Sequence, residues 1–526
     1  MKSSIILFLI ILLGNVIVFA QDGSPDPTFG GGDGLFYHSI FAGKPSQGWG
    51  IAIQPDHKIL VAGSTLGPDG RGHAFLSRYH EDGGLDNSFN GSGILLPEVP
   101  GVNSYSSGVK VQPDGKIVLC TASSDSTSRY VTALRFTEEG LPDNTFDGDG
   151  QFSAIIESDY MDISTMVLQP DGKILIGGYA GAFEADSFMV VRILSNGGLD
   201  QSFAGGGILI TGVGEDYTDV NSLLVQSDGK ILATGYATFN GNEDFTVVRY
   251  NSNGTLDNSF SGDGIAHVTI SDHDDRVYSS LLQPDSKIVI AGYAYNTITG
   301  KESFAAARLN PDGTLDNNFH GDGIALIYIT DYYDRVFSII RQPDGKFILA
   351  GNVRAGAPDY GFTMGIARIT ENGVLDYTFD GDGVYILPPS DTIESEIHAA
   401  ALQSDGKIVF TGNYRVNPLN QVMVYRAQTG LTTAINNVDQ FTAEVSIYPN
   451  PMSDNVVLIY SLEKTESLRI TLCDAMGRTV VQLLDKVQRS PGNHEEHLKL
   501  GYLAPGNYFV KLETESGMKT MLLIKE

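Results

Sequence analysis

The sequence predicts an all-β protein, a seven-bladed β-propeller of four-stranded blades followed by a small Ig-like β-sandwich, on three observations. One hairpin phrase recurs seven times at a near-constant interval, and a second turn phrase recurs beside it. The last stretch of the chain then abandons both phrases while keeping short alternating β segments.

The hairpin phrase takes forms such as QPDGK and QSDGK and begins at Gln54, Gln112, Gln169, Gln226, Gln283, Gln342 and Gln403, in steps of 57 to 61 residues. A period of that length means stacked copies of one supersecondary unit, each unable to bury its second face alone. In Gln112 to Lys116 the Pro fixes φ, the Asp bonds the turn backbone and the Gly accepts positive φ, so strands must flank the turn. The segments that follow, from Lys58, Lys173 and Lys287, are apolar on both strand faces and call for neighbours on both sides. In the fifth repeat four strands are expected, at 265–270, 277–282, 287–293 and 303–309, and four antiparallel strands make a propeller blade. An open β-solenoid is the alternative.

The second phrase, L-D-x-[ST]-F-x-G-x-G with variations, places an Asp at Asp26, Asp86, Asp143, Asp200, Asp257, Asp316 and Asp376. Eight residues before six of these stands an Arg that ends a predicted strand: Arg78, Arg135, Arg192, Arg249, Arg308 and Arg368. The fixed spacing suggests a charge-assisted hydrogen bond clamping each crossover, against independent surface residues inherited with the repeat. Arg426 lacks a downstream Asp and Asp26 lacks an upstream Arg, so a closed ring requires the two to meet. Alternating oxygen-bearing residues at Asp143, Asp147 and Asp149, and at Asp376, Asp380 and Asp382, also admit calcium, although the equivalent turns at Asp26 and Asp200 keep their length without those ligands.

A net charge of -29 excludes nucleic acid as partner and leaves cations and basic surfaces. The two cysteines, Cys120 and Cys473, lie in different predicted domains and build neither a disulfide framework nor a thiolate site. Lys2, the apolar run from Ile5, and Val18-Phe19-Ala20 predict a signal peptide over 1–20 cleaved after Ala20, and no later segment is a transmembrane candidate. The expected plan is a propeller over 21–429, a linker over 430–439 and a tail domain over 440–526.

The QPDGKILxAG strand pair, the Arg strand ending and the L-D-x-S-F turn resemble the delta-60 repeat, a family of predicted β-propellers in exported bacterial proteins. In the tail, VSIYPNP ending at Pro451, Asp474 to Arg478, and Gly506 to Leu512 resemble the type IX secretion (Por system) C-terminal sorting domain. That resemblance implies the type IX secretion machinery as partner and a secreted or cell-surface location. Neither family implies a chemistry.

No nucleophile elbow, metalloprotease helix, phosphate loop or Cys/His ligand set appears, so no catalytic residue is named and no enzyme is expected. His494 to His497 has the wrong spacing for zinc and is expected in a solvated turn. Repeat length varies between the predicted third and fourth strands, whereas the distance from the Arg to the last Gly of the next turn stays at 15 residues. The variable loops share one face with acid and aromatic clusters: Asp159, Tyr160 and Asp162; Asp216, Tyr217 and Asp219; Asp274 and Asp275; Asp331, Tyr332, Tyr333 and Asp334. Loops on a rigid scaffold favour binding, and an acidic rim that only keeps the protein soluble is the bland alternative. The expectation is a non-catalytic binding or adhesion module for an extracellular glycan, protein or cationic surface. A polysaccharide hydrolase or lyase is the rival.

Overall fold

The computed structural model describes residues 22–429 and 445–525, apart from short stretches at 183–184, 355–360, 389–392, 417, 451, 463, 475–478, 504–505 and 515–517. The predicted signal peptide and the linker over 430–439 lie outside the described residues. The chain divides into two compact units, Met1–Leu431 and Thr432–Glu526.

The first unit holds seven four-stranded antiparallel sheets. In blade 5 the strands run Arg276–Leu282, Ile288–Asn296, Lys301–Leu309 and Ile324–Ile327, from the innermost to the outermost. The predicted four-strand unit is therefore offset by one strand. Ile265–Val268, expected to open the fifth repeat, pairs instead with Asn242–Tyr250 as the outer strand of blade 4. The connection to the next blade leaves from that outer strand, from Val268 to Arg276, whereas the loop of variable length is the hairpin inside the blade, from Asn296 to Lys301 in blade 5.

The offset leaves blade 7 one strand short after Ile393–Leu402, Ile408–Val416 and Leu419–Ala427. Leu35–His38, from the start of the chain, supplies it, with Leu35 opposite Tyr425 and His38 opposite Val422. Apolar packing closes the same seam, because Phe29, Ile51, Val61 and Phe75 share one buried cluster with Val409, Val422 and Val424. A fully buried side chain of this kind contributes roughly 1.5–3 kcal/mol, so the seam is a core in its own right.

The Arg–Asp pairs form a second closure on the face of the repeated turns. Each Arg Nε donates to the Asp eight residues on, or from Arg426 to Asp26, at 2.6–2.8 Å. Each Nη1 donates to a backbone carbonyl beyond its own blade, Arg78 to Glu138 and Arg426 round to Glu81. Each guanidinium also lies 4.4–4.9 Å above the Phe of its turn, such as Phe89 or Phe29. In six repeats the Lys of the hairpin phrase approaches the same Asp at 2.8–3.4 Å. Burial pushes the Asp86 carboxyl up, but the Ser88 hydroxyl and N–H, with Arg78 and Lys58, outweigh it and hold the pKa well below the usual range.

The second unit is built from a three-stranded and a four-stranded sheet over a core that includes Leu458, Tyr460, Ile470, Leu472, Val510 and Leu512. His494 to His497 lies on the strand Gly492–Lys499 and not in a turn. There the Tyr460 ring stacks on His494 and Glu496 takes Arg489, while Glu495 and His497 stay exposed and pair with each other.

Candidate functional site

Every innermost strand of the propeller carries a β-bulge at the same place, five residues before the Gln of the hairpin phrase. The register skips Trp49, Ser107, Ser164, Asn221, Tyr278, Phe337 and His398 in blades 1 to 7. A bulge breaks the two-residue alternation and re-aims a side chain. All seven bulged residues line one cavity of about 550 Å³. The frame is repeated seven times, yet the residue it presents changes in almost every copy.

The changes are ordered around the ring. Blades 5, 6, 7 and 1 contribute a continuous aromatic arc: Tyr278 stacks on Phe337 with centroids 4.6 Å apart, Phe337 meets His398 edge-on at 6.2 Å, and His398 lies flat on Trp49 at 4.0 Å and 9°. The His398 Nδ1 is 2.8 Å from the Gly48 carbonyl, and the Trp49 indole N–H donates to Ser64 Oγ at 3.2 Å. Blades 2, 3 and 4 contribute the small polar side chains Ser107, Ser164 and Asn221.

Two residues before each bulge stands a second ring: Gln47, Tyr105, Asp162, Asp219, Arg276, Arg335 and Glu396. Arg276 and Arg335 are held by Glu243 and Glu302. The Tyr105 hydroxyl donates to Asp162, and Ser164 Oγ donates to Asp219 at 3.2 Å. Burial, then the Asp162 charge, pushes the Asp219 carboxyl up to about 7, and burial raises Asp162 as well. A carboxyl placed as Asp219 is exchanges its proton near neutral pH.

The predicted loop residues do not form one site. Asp162 and Asp219 belong to the axial rings just described. Tyr160 and Tyr217 turn away into a separate cleft of about 310 Å³ between blades 3 and 4, with Tyr179, Asp186 and Tyr236. Asp159, Asp216, Asp274 and Asp331 are exposed on the rim, and Tyr333 lies under the Lys301 ammonium at 5.3 Å. Tyr332 is partly buried. Asp275 and Asp334 are buried and are corrected from binding to structural residues. Asp334 accepts the Thr330 N–H and hydroxyl at 2.8 and 2.6 Å, and Asp275 accepts the Ser271 N–H and the Tyr295 N–H. A carboxylate beside free backbone N–H groups caps them before it meets solvent.

The calcium reading is set aside on the same ground. Asp143 and Asp376 are taken by Arg135 with Lys116 and by Arg368 with Lys346. Asp149 and Asp382 accept the N–H two residues on. Asp147 and Asp380 sit at positive φ in their turns, and no cluster of three His, Cys, Asp or Glu suited to a metal is present among the described residues.

Matching the repeats for what they share passes over the aromatic arc. Its signal is nevertheless present in the sequence: the only Trp of the chain stands between two glycines, Gly48 and Gly50, at the position where other repeats hold Tyr278, Phe337 and His398.

The family profile described as a domain of unknown function (DUF5122) β-propeller matches residues 54–89, 112–146, 169–203, 226–260, 283–319 and 342–379 of this ring. A second, the secretion system C-terminal sorting domain, matches residues 446–526. The chain carries DUF5122 β-propeller repeats and a type IX secretion sorting tail. The tail implies export through the type IX machinery to the cell surface or the medium. Among the described residues no helix is long and apolar enough to cross a membrane.

No curated protein matches the chain significantly. Among solved structures, the polysaccharide lyase Uly1 aligns at 10% identity over 73% of this chain and 90% of its own, with a TM-score of 0.41. Fructan 1-exohydrolase IIa from Cichorium intybus aligns at 10% identity over 93% and 89%, with a TM-score of 0.25. A family 32 glycoside hydrolase from Bifidobacterium adolescentis aligns at 9% identity over 93% and 95%, also with a TM-score of 0.25. The expectation that the chain is not an enzyme is withdrawn, since a lyase and hydrolases stand among the aligned structures. At these values the alignments assign no residue a role.

Proposed function

We propose that the exported propeller is a ligand-binding protein and that its ligand enters the axial cavity on the variable-loop face. The observation that supports this is the ring of bulges. Seven copies of one backbone device deliver seven side chains to one cavity, with aromatics gathered on one side and small polar groups on the other. Concave sites of about this size, mostly apolar with a few placed polar groups, are the usual form of a small-ligand site. The acidic loops around the mouth then act as a solvated rim that steers and excludes, without themselves forming the contact.

An array of extracellular glycans and proteins, probed with the full secreted chain and with a Tyr278→Ala/His398→Ala variant, tests the reading. Retention that the double variant loses supports it. Retention left unchanged in a variant that still folds moves the ligand site elsewhere on the surface. Retained glycans assayed for new reducing ends or unsaturated products show whether turnover accompanies binding.

A further inference from the structure

Trp49 is placed as a platform. One face of its indole is covered by His398 at 4.0 Å and its N–H is already bonded to Ser64, yet the residue remains 37% exposed. Trp49 lines a cavity whose other walls include Ser107, Asn103, Ser164 and Asn221. A large aromatic face opposed by small hydroxyl and amide groups matches a flat, amphipathic ligand with C–H groups on one side and hydroxyls at its edge.

The charges narrow the ligand further. Among the described residues no Lys or Arg lines the cavity, and the two arginines of the neighbouring ring are occupied by Glu243 and Glu302. An anionic ligand would meet the Asp162 carboxyl with no Lys or Arg in the lining to receive it. A fixed cation needs several ring faces turned toward it, but here Tyr278 and Phe337, and Trp49 and His398, spend faces on one another. Asp162 is also already engaged by Tyr105 and by the Ile163 N–H.

We infer that the axial cavity takes a neutral sugar residue of an extracellular polysaccharide, stacked on the open face of Trp49 with its hydroxyls on the Ser107, Asn103, Ser164 and Asn221 wall. This rests on the axial cavity being the ligand site, and it names the ligand class of that site.

Trp49 is the only Trp of the chain, so its emission reports the site without a label. The full secreted chain is titrated with cellohexaose, xylohexaose, mannohexaose and laminarihexaose as neutral probes, with hexagalacturonate as the acidic probe and with hexalysine as the cationic one. The expected result is a saturable change in emission with a neutral oligosaccharide and none with the charged probes. By calorimetry Trp49→Ala should then weaken binding at least tenfold, while Trp49→Phe, which keeps a ring in place, should weaken it less. A response confined to hexagalacturonate or hexalysine overturns the neutral-sugar assignment and leaves the cavity as a ligand site. Silence toward all three classes, from a protein with an unaltered melting temperature, overturns both.

Discussion

Replacing Arg426 by Ala tests whether the ring is closed by the same clamp that joins its interior blades. The side chain donates to Asp26 at 2.6 Å, to the Glu81 carbonyl at 2.6 Å and to Thr28 Oγ1 at 2.9 Å, and its guanidinium lies 4.7 Å above Phe29. Asp26 is fully buried, so the substitution strands a carboxylate. Breaking a buried pair in this way costs about 3–5 kcal/mol. Lys407, 3.1 Å from Asp26, takes part of the charge and puts the expected loss at the lower end, about 3 kcal/mol. For a unit of this size, at about 2 °C per kcal/mol, Tm should fall by about 6 °C. Arg249→Ala is the control, since its side chain makes the same contacts inside the ring with Asp257, Ser259, Pro311 and Phe260. Scanning calorimetry of both variants should show similar losses. A Tm for Arg426→Ala within about 1 °C of wild type, beside a clear loss for Arg249→Ala, would refute closure through this residue.

Asp219, pushed up to about 7 from 3.8, binds its proton more tightly in the folded chain, so its contribution is present at low pH and is lost as pH rises from about 4 to 7. Asp219→Asn should therefore raise Tm at pH 8 and change it little at pH 4; an equal shift at both would show that titration is not involved. Asp334→Ala should lower Tm through the lost Thr330 cap, whereas Tyr332→Ala should leave it within about 1 °C, and the reverse order would place the loop differently. Deleting Gln440 to Glu526 should hold the propeller in the periplasm, and its unchanged appearance outside the cell by immunoblot would move the export signal elsewhere.

The parts of this fold that can be read from the sequence are those that every blade needs for the same reason. The QPDGK turn is legible because Pro, Asp and Gly each answer a local backbone demand, and in the structure the Gln112 N–H donates to the Lys116 carbonyl as a hairpin requires. The Arg and Asp of each repeated turn are legible because a buried charge must have a partner, here at a fixed distance along the chain, although the turn joins two strands of one blade and only the Arg Nη1 reaches the next. The blade boundary is not, since strand pairing across a crossover leaves no local mark: Ile265–Val268 reads equally well with the strands before it and after it. The site is harder still. Charge draws attention to the loop acids, but Asp275 and Asp334 lie beside backbone N–H groups that outcompete any ligand. The bulged positions show no common residue, and a bulge alters which face a side chain takes without altering composition. In a repeat protein the frame is written in what the copies share, and the ligand is written where they differ. Trp49, Ser107, Ser164, Asn221, Tyr278, Phe337 and His398 differ at the bulged position from which every blade reaches the same cavity, and it is there that selection for a ligand can act on each blade without disturbing the next.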